Sequence, residues 1–228
     1  MPRRSFDKSE GGWEDLRMNM EQPSKTKEQL LEEKIAVVEK RVDLIGEGMD
    51  KQIIQTVAML NLLELPTSGS CEGHLDHGLA NPWVDVQATG EVSKKYMHED
   101  EIRQQFAERY NLPISEIGNG TNQEVNNEFW NKLVLDDYTG EYLAWEKTNE
   151  PFALRLKELV DEFNQGGNDQ ERLRLQEFRG VAGRITAGQE EVPDEVEDKG
   201  ALAKRLIQRQ QVMKEFTEFL KKKYLAAQ

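Results

Sequence analysis

The only cysteine and two of the three histidines of this 228-residue chain fall within seven positions, Cys71-Glu72-Gly73-His74-Leu75-Asp76-His77. A thiol and imidazoles are the side chains best suited to metal ligation and to nucleophilic or acid–base chemistry near neutral pH. Cys71, His74 and His77 are spaced three apart, so one suitably folded turn brings all three to a single ion. One sulfur and two nitrogens make the ligand set of an open catalytic zinc site, with water in the fourth position. Asp85, Asp76 or the distant His98 is then the candidate fourth ligand, or the group that orients an imidazole from behind.

The same residues permit a second chemistry. His74 or His77 can draw the proton from Cys71, and the thiolate then attacks an electrophile. Gly69 and Gly73 let the backbone turn sharply and aim N–H groups at an oxyanion or phosphate, so Ser68, Ser70 and Gly73 are candidate ligand-binding positions. A third reading is architectural, with Cys71 a small apolar filler and Thr67, Ser68 and Ser70 bonded to the backbone of their own turn. Metal site, reactive thiol and structural loop all remain open at this level, and the residue types name no reaction.

The stretch Pro66 to His74 reads as a loop, because Pro, Ser and Gly dominate it. What precedes it must position it. Thr26 with Gln29 forms a capping-box pattern, and Leu31, Ile35, Val38, Val42 and Ile45 recur at helical spacing up to Gly46. A second helix is expected from near Met49, with Ile53, Ile54, Val57, Leu60 and Leu63 on its apolar side, stopping before Pro66. Only Gly46-Glu47-Gly48 separates the two, which predicts a helical hairpin. The apolar stripe also suits a homodimer through these N-terminal helices.

After the loop, Trp83, Asp85 and Gln87 alternate with Val84, Val86 and Ala88, the pattern of a strand. Helices are expected over 93–110 and 123–146, the latter interrupted near Gly140, and from Glu150 to the Gly166-Gly167 stop. Residues 171–178 alternate with period two, and 183–187 can pair with them. An acidic linker near 189–199 leads to a C-terminal helix over 200–226, with Leu202, Leu206, Met213, Phe216 and Leu220 facing inward. The expected fold is α+β: an N-terminal helical hairpin and further helices on a small, largely antiparallel sheet, following a mobile arm over 1–23 and forming one domain over 24–228. No Gly-rich phosphate loop follows any strand, which argues against a doubly wound nucleotide fold.

Weaker candidates lie elsewhere. Gly180 to Arg184 can cradle an anion, and Glu99-Asp100-Glu101 beside His98 can attract a cation, although turn chemistry and an acidic helix start explain them as well. Trp83, Trp130 and Trp145 read as core or pocket walls.

The net charge of −13 opposes broad adhesion to nucleic-acid phosphates. The last 28 residues reverse the balance, with Lys204, Arg205, Arg209, Lys214, Lys221, Lys222 and Lys223 against two glutamates. No run approaches the ~20 apolar residues of a membrane span. The basic start lacks the apolar run of a signal peptide, and a single cysteine forms no internal disulfide, so a cytoplasmic protein without membrane association is expected.

Leu60-Asn61-Leu62, then Thr67-Ser68-Gly69-Ser70-Cys71-Glu72-Gly73-His74 and a strand, resembles the Ser-Cys-x-Gly-His signature of poorly characterised microbial proteins. The stretch is also similar to the Thr-Thr-Ser-Ser-Cys-Ser-Gly-Arg loop of the wybutosine-synthesising tRNA methyltransferase family. Thr67, Ser70, Cys71 and Gly73 correspond, and His74 stands where that family has Arg. The similarity covers about 15 of the 228 residues. It implies that the loop is a functional site and, as an alternative function, tRNA modification with a methyl donor.

Overall fold

Alternating valines fix the centre of the sheet. In the computed structural model, which describes residues 25–42, 48–165, 172–178, 180–193, 196 and 198–227, Val84 and Val86 are fully buried while Trp83 and Asp85 are half-covered. This strand, β2 (Trp83–Val86), pairs antiparallel on one side with β1 (Thr67–Cys71) and on the other with β4 (Gly183–Ala187). β4 also pairs antiparallel with β3 (Leu173–Gln176), completing the order β1-β2-β4-β3. The fold is α+β, with an antiparallel sheet in which 183–187 pairs with the alternating segment that includes β3, as expected.

Seven helices accompany the sheet among the described residues: α1 (Lys27–Val38), α2 (Ile54–Leu62), α3 (Glu99–Tyr110), α4 (Gln123–Asp136), α5 (Gly140–Lys147), α6 (Glu150–Asn164) and α7 (Lys199–Ala226). α7 runs along α2 and over β4, and α1 packs on α2. Val57, Met59 and Leu60 of α2, Leu156 and Leu159 of α6, and Phe216 and Leu220 of α7 enclose Val84, Val86 and Ile185. Each fully buried Leu or Phe among them contributes ~1.5–3 kcal/mol. A second cluster gathers Phe106, Ile117, Phe129 and Leu133 between α3 and α4. None of these helices is long and apolar enough to cross a membrane.

Several expected boundaries move, each for a local reason. The Thr26–Gln29 capping box is present, but α1 stops at Val38, and Val42 instead bridges to Gly48 and stands exposed. The expected arm over 1–23, Ile45, the Gly46 stop and the Gly166-Gly167 stop lie outside the described residues. The helix expected over 93–110 begins only at Glu99. Before it, Tyr96 bridges to Tyr138, the Met97 N–H donates to Asp137 O and Lys95 O accepts from Thr139, so this segment is tied to the break between α4 and α5. The acidic stretch near 189–199 is not a free linker at its start. The Ala80 N–H donates to Glu191 O, and the Glu191 carboxylate grips Arg205 and Arg209 of α7 at 2.7 and 2.5 Å.

The largest revision concerns the predicted loop. Thr67 to Cys71 is strand β1, at the edge of the sheet. Thr-Ser-Gly-Ser-Cys has little intrinsic strand preference, and the pairing with β2 supplies what propensity lacks.

Candidate functional site

Cross-strand partners share a sheet face, so the register Cys71↔Trp83 and Gly69↔Asp85 sets Cys71 and Gly69 on the face away from the valine core. At the end of β1 the chain turns through Glu72 and Gly73, and the His74 N–H donates to Leu79 O, closing a short loop that carries His77. Gly73 has φ +85°, and a Cβ there would stand 2.8 Å from the Asn81 backbone and 2.7 Å from Leu206. Its glycine identity therefore serves a close packing of backbone on α7. Its N–H points to Cys71 Sγ at 3.3 Å, so it is not aimed at an external oxyanion as the sequence suggested.

A carboxylate that sequence reasoning overlooked completes the group. Asp50, just before α2, lies with its Oδ2 3.0 Å from the Glu72 N–H and 3.2 Å from His74 Nε2. The donor atoms of Asp50, Cys71 and His74 all lie within 4.8 Å of one another. His74, Asp76 and His77 make a second such set, in which His77 Nδ1 meets Asp76 Oδ1 at 2.7 Å. The two imidazoles stack, with centroids 4.1 Å apart. The three expected ligands thus divide: Cys71 and His74 converge with Asp50, while His77 pairs outward with exposed Asp76. The signal for Asp50 was weak, because an aspartate before a helix ordinarily reads as a cap.

Asp85 and His98 have other partners. Asp85 forms a two-pronged ion pair with Arg184, at 2.7 and 2.9 Å, and therefore does not orient an imidazole. The Arg184 guanidinium lies 4.0 Å from the centroid of the Trp83 ring, and Glu190 stands nearby, so the expected anion cradle at 180–184 already holds its anions. His98, at the start of α3, pairs with Asp137 and belongs to neither cluster of donors that could hold an ion among the described residues. Glu99 of the acidic run pairs with Arg103.

Burial pushes the Cys71 thiol above its ordinary value, the Gly73 N–H pulls it down, and the charges of Asp50 and Glu72 add to the rise. The thiol also hydrogen bonds to Asp50. These surroundings disfavour an uncompensated thiolate, the state a cysteine nucleophile requires.

The group lines a cleft of about 520 Å³. All of β1, Ser68 and Ser70 included, lines it, together with Arg41, Met49, His77 and Trp83. Gly73 does not. Comparison with family models, with curated proteins and with solved structures finds no match to this chain.

Proposed function

We propose that the chain is a small-ligand protein built on a divalent transition-metal site, with Asp50, Cys71 and His74 as its protein ligands. The observation that carries this reading is the convergence of carboxylate, thiol and imidazole donors, drawn from two separate segments, in the wall of a cleft. The 3.2 Å between Asp50 Oδ2 and His74 Nε2 matches the ~3.3 Å edge of a tetrahedron with bonds of ~2.0 Å, and mixed O, S and N donors suit zinc. The N–H groups of Glu72 and Gly73, donating to Asp50 and Cys71, hold those side chains in place as outer hydrogen bonds do around metal centres. Zinc with three protein ligands and an open position supplies Lewis-acid activation of water or of a carbonyl. His77, stacked on His74 and lining the cleft, is the acid–base group of this reading.

Metal content per chain, measured on untagged protein purified without chelator, tests this. Near-stoichiometric zinc, lost in Cys71→Ala and Asp50→Ala and retained in His98→Ala, is expected. A wild-type chain that takes up no zinc at micromolar concentration overturns the reading.

The competing reading, a helix-mediated interaction protein or homodimer, draws on Leu30 and Val37, which α1 leaves exposed. tRNA modification is less favoured, because Arg205, Arg209 and Lys223 of the basic helix are engaged by Glu191 and Glu162.

A further inference from the structure

We propose that the cleft takes a short extended peptide laid along the free edge of β1, its terminal carboxylate on Arg41 and a backbone carbonyl over the Asp50–Cys71–His74 group. The inference names the ligand class of the site proposed above and rests on that reading.

β1 is an outer strand of the sheet: one edge pairs with β2, and no described strand occupies the other. An unpaired edge presents N–H and C=O groups at alternate residues and accepts another extended chain in the same register. The cleft runs along the whole of β1. Small side chains, Thr-Ser-Gly-Ser-Cys, leave that backbone within reach.

The two ends of the strand differ in chemistry. At the Cys71 end stand the metal-ligating donors. At the Thr67 end stands Arg41, hydrogen bonded to Asn61 Oδ1 at 3.3 Å, and Asn61 in turn donates to Thr67 Oγ1 at 2.9 Å. Six other arginines, Arg103, Arg109, Arg155, Arg184, Arg205 and Arg209, pair with carboxylates; Arg41, in the cleft, donates instead to the neutral Asn61. A guanidinium with a neutral neighbour in an open cleft favours a carboxylate in a two-pronged pair. From Thr67 to Cys71 the strand spans ~13 Å, which fits about three to four peptide residues. Pairing with a strand edge requires backbone amides, which sets a peptide above other carboxylates of that length.

Equilibrium dialysis of the full chain, with and without one equivalent of zinc, tests this against an equimolar mixture of Ala-Xaa-Ala tripeptides as free acids and as C-terminal amides. The retained peptides are quantified by mass spectrometry. In the zinc-bound chain the free acids are expected to be retained at least tenfold over the amides. Arg41→Gln, which keeps a donor for Asn61, is expected to erase that preference while zinc uptake is unchanged. Equal retention of acids and amides, or no retention by a chain that does bind zinc, overturns the peptide assignment and leaves the metal site standing. A preference that persists in a chain that takes up no zinc overturns the metal site and the carbonyl placement instead.

Discussion

Asp50 and Glu72 hold each other's segments in a reciprocal clasp. The Glu72 N–H donates to Asp50 Oδ2 at 3.0 Å, and the Glu72 carboxylate accepts from the Gln52 N–H at 2.9 Å. α2 has no side-chain cap of its own, and Glu72, arriving from the end of β1, satisfies the Gln52 N–H in the turn just before it and sets a negative charge near the positive end of the helix dipole. The same clasp delivers Asp50 to Cys71 and His74. Scaffold and site therefore share one connection.

The two halves of the clasp separate by mutation. Glu72→Ala keeps the backbone N–H that orients Asp50 and loses only the carboxylate that accepts from Gln52 and faces the start of α2, so it is expected to lower stability by about 1 kcal/mol in urea denaturation while zinc uptake persists. Asp50→Ala is expected to weaken zinc at least tenfold. Equal zinc affinity in the two variants would dissolve the distinction.

Backbone packing at the turn predicts a contrast between two glycines of positive φ. Gly73→Ala drives a Cβ into the Asn81 backbone and Leu206, and is expected to cost more than about 2 kcal/mol. Gly78→Ala, with φ +63° and open space around its Cβ, is expected to cost only about 1 kcal/mol of conformational strain. Thermal midpoints of the two variants, measured side by side, provide the comparison.

Glu191 predicts a pH dependence. The hydrogen bond from Arg205 lowers its carboxyl pKa, burial opposes this, and Arg209 lowers it further, so the folded value lies below the ordinary 4.5. A carboxyl depressed by folding contributes stability that is present above its unfolded value and is lost as pH falls through the folded one. Stability should therefore drop below about pH 4.5. Glu191→Gln should flatten that part of the acid limb, as read from unfolding midpoints between neutral and acidic pH. An unchanged slope would mean that the Glu191 grip on α7 does not contribute.

The faces of α1 decide how oligomerisation must be tested. Leu31 packs on the core and Val38 is fully buried, so charges placed there would unfold the hairpin rather than split a dimer. Val37→Glu, at an exposed position, is expected to leave both the thermal midpoint and the light-scattering mass unchanged. A halved mass would favour the interaction reading.

Periodicity by itself determined the parts held by apolar repetition. Leu202, Leu206, Met213, Phe216 and Leu220 of α7 are all buried, the alternation around Val84 and Val86 is the centre of the sheet, and Thr26 caps α1 through its own side chain. These features depend on near neighbours in sequence, which a linear reading sees. Tertiary structure decided what depends on distant partners. The low strand preference of Thr67 to Cys71 yields to pairing with β2, and that pairing makes an edge of what reads as a loop. Asp50 meets Cys71 only because β1 returns to the start of α2, and Asp85, expected to orient an imidazole, is claimed by Arg184 across two strands. A side chain's type states which bonds it can make; the fold decides which partner arrives, because hydrogen bonds and ion pairs act over a few ångströms however far apart the residues lie along the chain.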